Sequence, residues 1–219
     1  MSGRVLGIGP TDRTSEERTP RTPLIPVPAG AAASFVPWLE QVPGLRAGEN
    51  DLTRVAPGRP QAEGTVIEVK GHVFDGFGRP LPGALLEIWN ANAHGRYTHR
   101  DDQTDYAIDP HFRGHGRTLT DAAGRYLFRT ILPGHYIARP DIGRWRPRHI
   151  HISVRGGAAR LITQMYFEDD PHNDRDPMRI LMGDAFARQI AVERGTDADG
   201  VRRLGFDIVV AGAAALLFE

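Results

Sequence analysis

The chain has 219 residues, 40% of them hydrophobic, so it is long enough to bury one sizeable core and nothing in its length requires two domains. Its 27 Lys and Arg residues balance its 27 Asp and Glu residues, which leaves no bulk positive field to hold a nucleic acid or an anionic membrane. Cysteine is absent, which excludes disulfides and thiolate ligands and leaves histidine, tyrosine or carboxylate to hold any metal.

The first 48 residues are rich in Pro, Thr, Arg and Gly and contain one short amphipathic segment, Ser34–Val42. We expect residues 1–48 to form an extended arm that packs on another subunit, and residues 49–219 to form the folded domain. The N-terminus shows no apolar stretch of signal-peptide length, and the longest apolar run, Ile208–Phe218, is too short to span a bilayer. The sequence therefore indicates a cytoplasmic protein whose partners are small molecules or other proteins.

From Thr65 onward, short β-branched runs with alternating apolar and polar residues are separated by turns rich in Gly, Pro and Asp. This pattern predicts an all-β fold, an antiparallel β-sandwich. One short helix is predicted near Asp184–Arg194, with Asp184 as its N-cap and Gly195 ending it. The predicted strands cover residues 65–74, 84–89, 125–130, 149–155, 161–167 and 205–210, and the clearest turns cover 75–80, 121–125 and 197–200.

Two histidines, His149 and His151, begin one of these strands with a single residue between them. Side chains two apart on a strand project from the same face, so both imidazoles are directed at one point. Two tyrosines in loops at strand ends, Tyr97 and Tyr136, complete a candidate metal site with two nitrogen and two oxygen donors. The other seven histidines show no converging pattern.

Several stretches around these donors closely resemble the intradiol ring-cleavage dioxygenases, and within that family the protocatechuate branch. The resemblance covers roughly residues 50–212. It implies one Fe(III) ion held by Tyr97, Tyr136, His149 and His151. It also implies that the enzyme cleaves a catechol with O2 between its two hydroxylated carbons to give a cis,cis-muconate. The stretches are E-I-W-N-A-N-A-H-G-R-Y-T-H (87–99), 109–126, P-G-H-Y (133–136), W-R-P-R-H-I-H (145–151) and L-I-T-Q-M-Y-F (161–167).

The resemblance also assigns catalytic roles to three residues. Tyr136 is the ligand that the substrate displaces, Arg146 stabilises negative charge developing on the substrate, and Gln164 lies on the side of oxygen attack. A free tyrosine has a pKa near 10, so binding as phenolate at neutral pH needs a strongly polarising cation, which favours ferric iron.

Three further residues, Trp89, Ala138 and Trp145, are expected to line the substrate pocket. Ala138 stands where the family commonly has a tryptophan, so the resemblance implies a wider pocket in this chain. Two arginines near the pocket, Arg139 and Arg148, are expected either to face solvent or to help hold an anionic substituent. The default substrate is then protocatechuate, which would be converted to 3-carboxy-cis,cis-muconate.

Alternatives stay open for the substrate, the class and the assembly. The same chemistry on catechol, hydroxyquinol or a bulkier 4-substituted catechol fits the same residues. In another class, residues 71–84 and 120–136 also resemble non-catalytic prealbumin-like binding modules, which share the β-sandwich but have no reason to carry the four donors at this spacing. The assembly is expected to be a homo-oligomer or a hetero-oligomer with an α-type chain, because in two-chain protocatechuate enzymes the partner lines part of the pocket.

Overall fold

The computed structural model describes residues 45, 48–99, 102, 104–156, 159–212 and 215–216. The predicted arm, residues 1–48, lies outside the described residues apart from residues 45 and 48, and the amphipathic segment Ser34–Val42 lies outside them entirely. The division into an arm and a domain therefore stays a prediction. The described part of the chain is mostly β, with one short α-helix and three short 3-10 helices.

The first sheet is built around its longest strand, β1 (Val66–Phe74). Antiparallel to β1 lies β4 (Arg125–Ile131), whereas β10 (Arg202–Gly205) and β11 (Ile208–Val209) pair with it in parallel. The strand β9 (Val192–Thr196) extends the sheet by pairing antiparallel with β10. The expectation of a purely antiparallel fold was therefore wrong for β1. The parallel neighbours of β1, which are β10 and β11, are separated from it in sequence by a chain segment long enough to return to the same end of the sheet. Parallel pairing requires such a connection.

The second sheet has four strands, and all of its pairs are antiparallel. Its strands are β2 (Leu85–Trp89), β3 (His115–Leu119), β7 (His149–Gly156) and β8 (Ala159–Tyr166). Side chains alternate between its two faces, so Leu86, Ile88, Ile150 and Ile152 lie in the core while Trp89 and His151 project from the opposite face. We call this opposite face the outer face of the second sheet.

One hydrophobic cluster contains residues of both sheets. Val69, Val73 and Phe128 of the first sheet are at most 3% exposed, and so are Leu86 and Ile152 of the second. Burial of one such side chain stabilises the fold by roughly 1.5–3 kcal/mol, so the cluster holds the second sheet firmly and leaves its outer face free to carry polar groups.

The six predicted strands are all present, although the segment 205–210 is divided between β10 and β11. Four strands had not been predicted: β3, β9 and the two-stranded ribbon of β5 (Tyr136–Arg139) and β6 (Arg144–Arg146). Each has five residues or fewer and several polar side chains, so alternation gave too weak a signal. Tyr136 consequently begins a strand and does not lie in a loop.

The predicted helix near Asp184–Arg194 was wrong. The α-helix covers Pro177–Met182. The Asp176 side chain caps its N-terminus by accepting a hydrogen bond from the Met178 amide, and Gly183 follows the last turn. The 3-10 helix 183–189 contains Asp184, and Val192–Thr196 forms β9 because its backbone is paired in the first sheet. No helix among the described residues is long and apolar enough to cross a membrane.

Candidate metal centre

His149 and His151 begin β7 and project together from the outer face of the second sheet. Their Nε2 atoms lie 3.2 Å apart. The strand register places His151 between Trp89 of β2 and Gln164 of β8, in one row across the sheet. The predicted convergence of the two imidazoles is therefore present.

The phenol oxygen of Tyr97 lies 3.2 Å from the Nε2 atom of His149 and 3.2 Å from that of His151. The three donor atoms form a nearly equilateral triangle, whose centre is about 1.8 Å from each corner, while metal–nitrogen and metal–oxygen bonds measure about 2.0–2.2 Å. The Tyr136 ring packs edge-on against Tyr97 at 5.6 Å and tilted against His149 at 5.9 Å between ring centroids. The triangle thus has the size that a single metal ion with two imidazole ligands and one phenol ligand requires, and the Tyr136 ring packs beside it.

His149 is held in the form that a metal ligand needs. Its Nδ1–H donates to the carbonyl oxygen of Pro147 at 2.8 Å, which leaves the Nε2 lone pair directed at the centre. Burial lowers the pKa of His149 well below its ordinary value of 6.5, and the positive charge of Arg146 and the neighbouring His151 lower it further, against the hydrogen bond to Pro147. The imidazole therefore stays neutral.

The segment that carries Tyr97 is organised by Asp102. Its carboxylate accepts the Tyr97 amide at 2.8 Å and both the amide and the hydroxyl of Thr104 at 2.9 and 2.7 Å. Arg96 lies 3.2 Å from the same carboxylate. Burial alone would raise the pKa of Asp102, but the hydrogen bonds from Thr104, Tyr97 and Arg96 lower it below its ordinary value. The carboxylate is thus charged while it orients the Tyr97 backbone.

The segments that lead to Tyr97 and Tyr136 contact each other through their backbones. The Gly134 amide donates to the carbonyl oxygen of Asn92 at 2.9 Å. A Cβ atom at Gly134 would lie 2.5 Å from the amide nitrogen of Gly95, and a Cβ atom at Gly95, whose φ is +85°, would lie 2.7 Å from a carbonyl oxygen of the opposite segment. Only glycine fits at either position, so the two tyrosines share one rigid support.

Arg146 lies beside the donor group in a network of buried acceptors. Its Nη2 atom donates to Gln164 Oε1 at 2.7 Å and to the Tyr166 hydroxyl at 3.2 Å, and its Nε atom donates to Asp176 Oδ2 at 3.2 Å. The Tyr166 hydroxyl also donates to Gln164 Oε1. Burial alone would lower the pKa of Arg146, but the Asp176 carboxylate and the phenols of Tyr166 and Tyr136 raise it, so the guanidinium keeps its charge.

Trp89 packs on His151 of the candidate metal centre and not in the core. Its ring stacks on His151 with centroids 4.8 Å apart and planes 4° from parallel. Together with Tyr97 it lines a cavity of about 850 Å³ that continues along the outer face of the second sheet. The walls of this cavity carry Arg113, Arg117, Arg155 and Arg160.

The structure does not bring Trp145 together with the four donors. The Trp145 ring packs against His135 at 5.4 Å and His172 at 5.2 Å, and it projects from the opposite side of β6 to Arg146. Ala138 is exposed, at the irregular part of the pairing between β5 and β6.

The two arginines expected near the pocket are engaged with acidic side chains. Arg139 makes an exposed ion pair with Asp141 at 2.7 Å, and Arg148 lies 3.6 Å from the buried carboxylate of Asp170. The basic side chains of the cavity described above were not anticipated. Neither were Asp102, Tyr166 and Asp176, although Tyr166 is two residues from Gln164 on a predicted strand and therefore on the same face.

Comparison with known proteins gives a consistent family. A family model described as Dioxygenase matches residues 42–212. The chain is 40% identical to the protocatechuate 3,4-dioxygenase beta chain of Burkholderia cepacia, over 97% of this chain and 92% of that one. It is 36% identical to the catechol 1,2-dioxygenase of Acinetobacter baylyi, over 52% of this chain and 39% of that one.

A solved structure with a similar fold is that of catechol 1,2-dioxygenase from Acinetobacter sp. ADP1, inhibited by bound mercury. Its TM-score is 0.57 and its identity 28%, over 74% of this chain and 56% of that one. The extent of the family match and the identity to the beta chain together decide the assignment, and the chain belongs to the intradiol ring-cleavage dioxygenases, a family of non-haem iron enzymes.

Proposed function

We propose that the protein is an Fe(III) dioxygenase that cleaves protocatechuate with O2 between its hydroxylated carbons to give 3-carboxy-cis,cis-muconate. Its ligands would be Tyr97, Tyr136, His149 and His151. The observation that carries the proposal is the triangle of donor atoms with sides of 3.2 Å, with the Tyr136 ring packed on two of its members.

The chemistry of the donors favours ferric iron. Two phenolates provide hard, negatively charged oxygen atoms, whereas zinc and copper sites are built mostly from histidine, carboxylate and thiolate. Bound there, ferric iron would hold both catechol oxygens and make the ring reactive toward dioxygen.

Other residues of the chain would then supply the base, the positive charge and a wall of the substrate pocket. Tyr136 would leave the metal and accept a catechol proton as a phenolate base. Arg146, fixed by Gln164, Tyr166 and Asp176, would place a permanent positive charge beside the reacting ring without having to reorganise. Trp89 would form a wall of the pocket.

The names of two relatives support the substrate and the assembly. The relative at 40% identity is named as a protocatechuate enzyme, which supports protocatechuate as the substrate. Another relative is named as the alpha chain of protocatechuate 3,4-dioxygenase, at 31% identity, which supports an oligomer with an α-type chain or a homo-oligomer. We further propose that residues 1–48 pack on the neighbouring subunit, that residues 49–219 fold as a prealbumin-like β-sandwich, and that the enzyme works in the cytoplasm.

Metal analysis and turnover measurements test the proposal. Purified protein should hold about one iron per chain and show the burgundy-red colour of phenolate-to-iron charge transfer, and His149→Ala should lose iron and activity together. Under air, protocatechuate, catechol, hydroxyquinol and a bulky 4-substituted catechol should be compared, with each product identified by its mass. Colourless protein that stays free of iron after reconstitution would support the binding-module alternative and refute the proposed enzyme.

A further inference from the structure

A second group of possible metal ligands includes none of the four proposed iron ligands. His135, Asp170 and His172 each offer one donor atom, and these atoms all lie within 4.8 Å of one another. The Trp145 ring covers the two imidazoles, stacked on His172 and edge-on to His135. We call these three residues the His-Asp-His cluster.

The cluster contains a buried polar atom that nothing satisfies. His135 Nδ1 is inaccessible to solvent and has no hydrogen-bond partner. The Oδ2 atom of Asp170, whose side chain is fully buried, lies 4.0 Å away, too far for a hydrogen bond. A buried nitrogen without a partner costs free energy, so its orientation toward a carboxylate indicates a position for a ligand between the two groups.

The Asp170 carboxylate retains the capacity to bind a cation. Its two oxygens accept the backbone amides of Arg148 at 2.9 Å and of His172 at 2.8 Å, which fixes the carboxylate in place. Each carboxylate oxygen has two lone pairs, so one remains on each oxygen after these bonds. The backbone therefore orients the acidic ligand before any ion arrives.

We propose that the His-Asp-His cluster binds a divalent cation of the zinc type, in addition to the iron proposed for the Tyr97 centre. Two imidazoles, one carboxylate and a water molecule form an ordinary four-coordinate zinc set, and this set has no phenolate to favour ferric iron. Donors of such a site lie about 3.3 Å apart, so the widest pair must approach by about 1.5 Å. The imidazoles are only partly buried, and rotation of their rings provides this movement.

One charged group opposes the cation. The Nη1 atom of Arg148 lies 3.6 Å from Asp170 Oδ2, and the Arg148 side chain is 25% exposed. The distance is beyond that of a hydrogen bond, so the guanidinium acts as a nearby counterion that the metal replaces. Removing a ligand and removing this competing charge should therefore change zinc affinity in opposite directions.

Equilibrium dialysis of the iron-loaded protein against Zn²⁺ tests the proposal, with iron and zinc both measured. Wild-type protein should take up one zinc per chain without losing iron, and Co²⁺ should give the visible absorption of a four-coordinate site. His172→Ala should weaken zinc binding by more than the roughly 10–100-fold that loss of an outer-shell partner costs, and His172→Gln should behave alike. Arg148→Ala should bind zinc more tightly than wild type.

The matched control is His72→Ala. His72 Nδ1 lies 3.4 Å from Asp207 Oδ1 in the first sheet, and these two residues belong to no group of three donors among the described residues. This variant should bind zinc as the wild type does. Uptake that displaces iron, no uptake at all, wild-type zinc affinity in both His172 variants, or an Arg148→Ala affinity no higher than wild type would each overturn the proposal. Because zinc content is read directly, failure here leaves the proposed dioxygenase activity untouched.

Discussion

Replacement of the buried Asp176 should destabilise the protein far more than replacement of an exposed acidic residue, even one whose basic partner lies closer. The Asp176 side chain is fully buried, accepts Arg146 Nε at 3.2 Å and caps the helix Pro177–Met182. In Asp176→Ala, a largely buried guanidinium loses its counterion, which costs about 3–5 kcal/mol. Arg146 is 17% exposed and keeps its bonds to Gln164 and Tyr166, so we take the lower limit of about 3 kcal/mol.

Loss of the cap adds about 1 kcal/mol, so Asp176→Ala should lower the free energy of unfolding by about 4 kcal/mol in total. Asp176→Asn keeps one acceptor oxygen for the helix cap, replaces the oxygen that accepts from Arg146 Nε with an amide group, and removes the charge. Its cost should be roughly 2 kcal/mol, within the range for hydrogen bonds to charged groups. Against an expected total stability of about 5–15 kcal/mol, both changes are large.

The assay is urea unfolding of iron-loaded protein, followed by tryptophan fluorescence, with the iron content of each variant measured. The control is Asp141→Ala, which removes a carboxylate 2.7 Å from Arg139 at a site where both side chains are more than half exposed. Solvent screens that pair, so its midpoint should not move measurably. Equal shifts for Asp141→Ala and Asp176→Ala would refute the reasoning, because burial would then not decide the strength of the pair.

Four further outcomes are expected. Arg146→Ala should retain iron and colour but lower turnover by about a hundredfold or more, measured as kcat under air, and near-normal turnover would make this arginine structural. Tyr136→Phe should keep substantial iron, change the visible spectrum and slow catechol binding in stopped flow, whereas an unaltered spectrum and rate would exclude it as the displaced ligand. Asp102 has a folded-state pKa below the ordinary 3.8, so its contribution to stability is present above about pH 4 and is lost as the pH falls below that value. Between pH 7 and pH 3 the urea midpoint of unfolding should therefore fall more steeply for wild type than for Asp102→Asn. Parallel curves for the two proteins would contradict this. Ala138→Trp should lower the ratio of kcat/KM for a bulky 4-substituted catechol to that for protocatechuate, and an unchanged ratio would show that residue 138 does not line the pocket.

The long strands and the pair of histidines were accessible from the sequence because each depends on short-range periodicity. His149 and His151 lie on one face through strand geometry alone, and the alternation in β1, β2, β7 and β8 predicts which residues enter the core. Tyr97 and Tyr136 were added by resemblance, since no local rule connects residues so distant in sequence with the two histidines.

What the sequence did not predict depends on long-range packing. Asp176 meets Arg146 from 30 residues away, and its role as a helix cap was assigned to Asp184 because both acids precede a plausible helix. His135 and His172 had no visible pattern in the sequence, because they meet only when the segments on which they lie pack against Trp145.

The close contact at Gly95 and Gly134 determines how Tyr136 can move. The backbone before Tyr136 is in close contact with the segment that contains Gly95. The backbone after Tyr136 is held by the Ile137 amide, which donates a hydrogen bond to the Tyr106 hydroxyl at 3.1 Å. The backbone is thus restrained on both sides of Tyr136, so rotation about its side-chain torsions is the easiest movement of the ring. Such rotations take picoseconds to nanoseconds when side chains are exposed, whereas loop motions take up to microseconds. The rate of ligand exchange would then be set by the contacts of the Tyr136 ring and not by motions of the backbone.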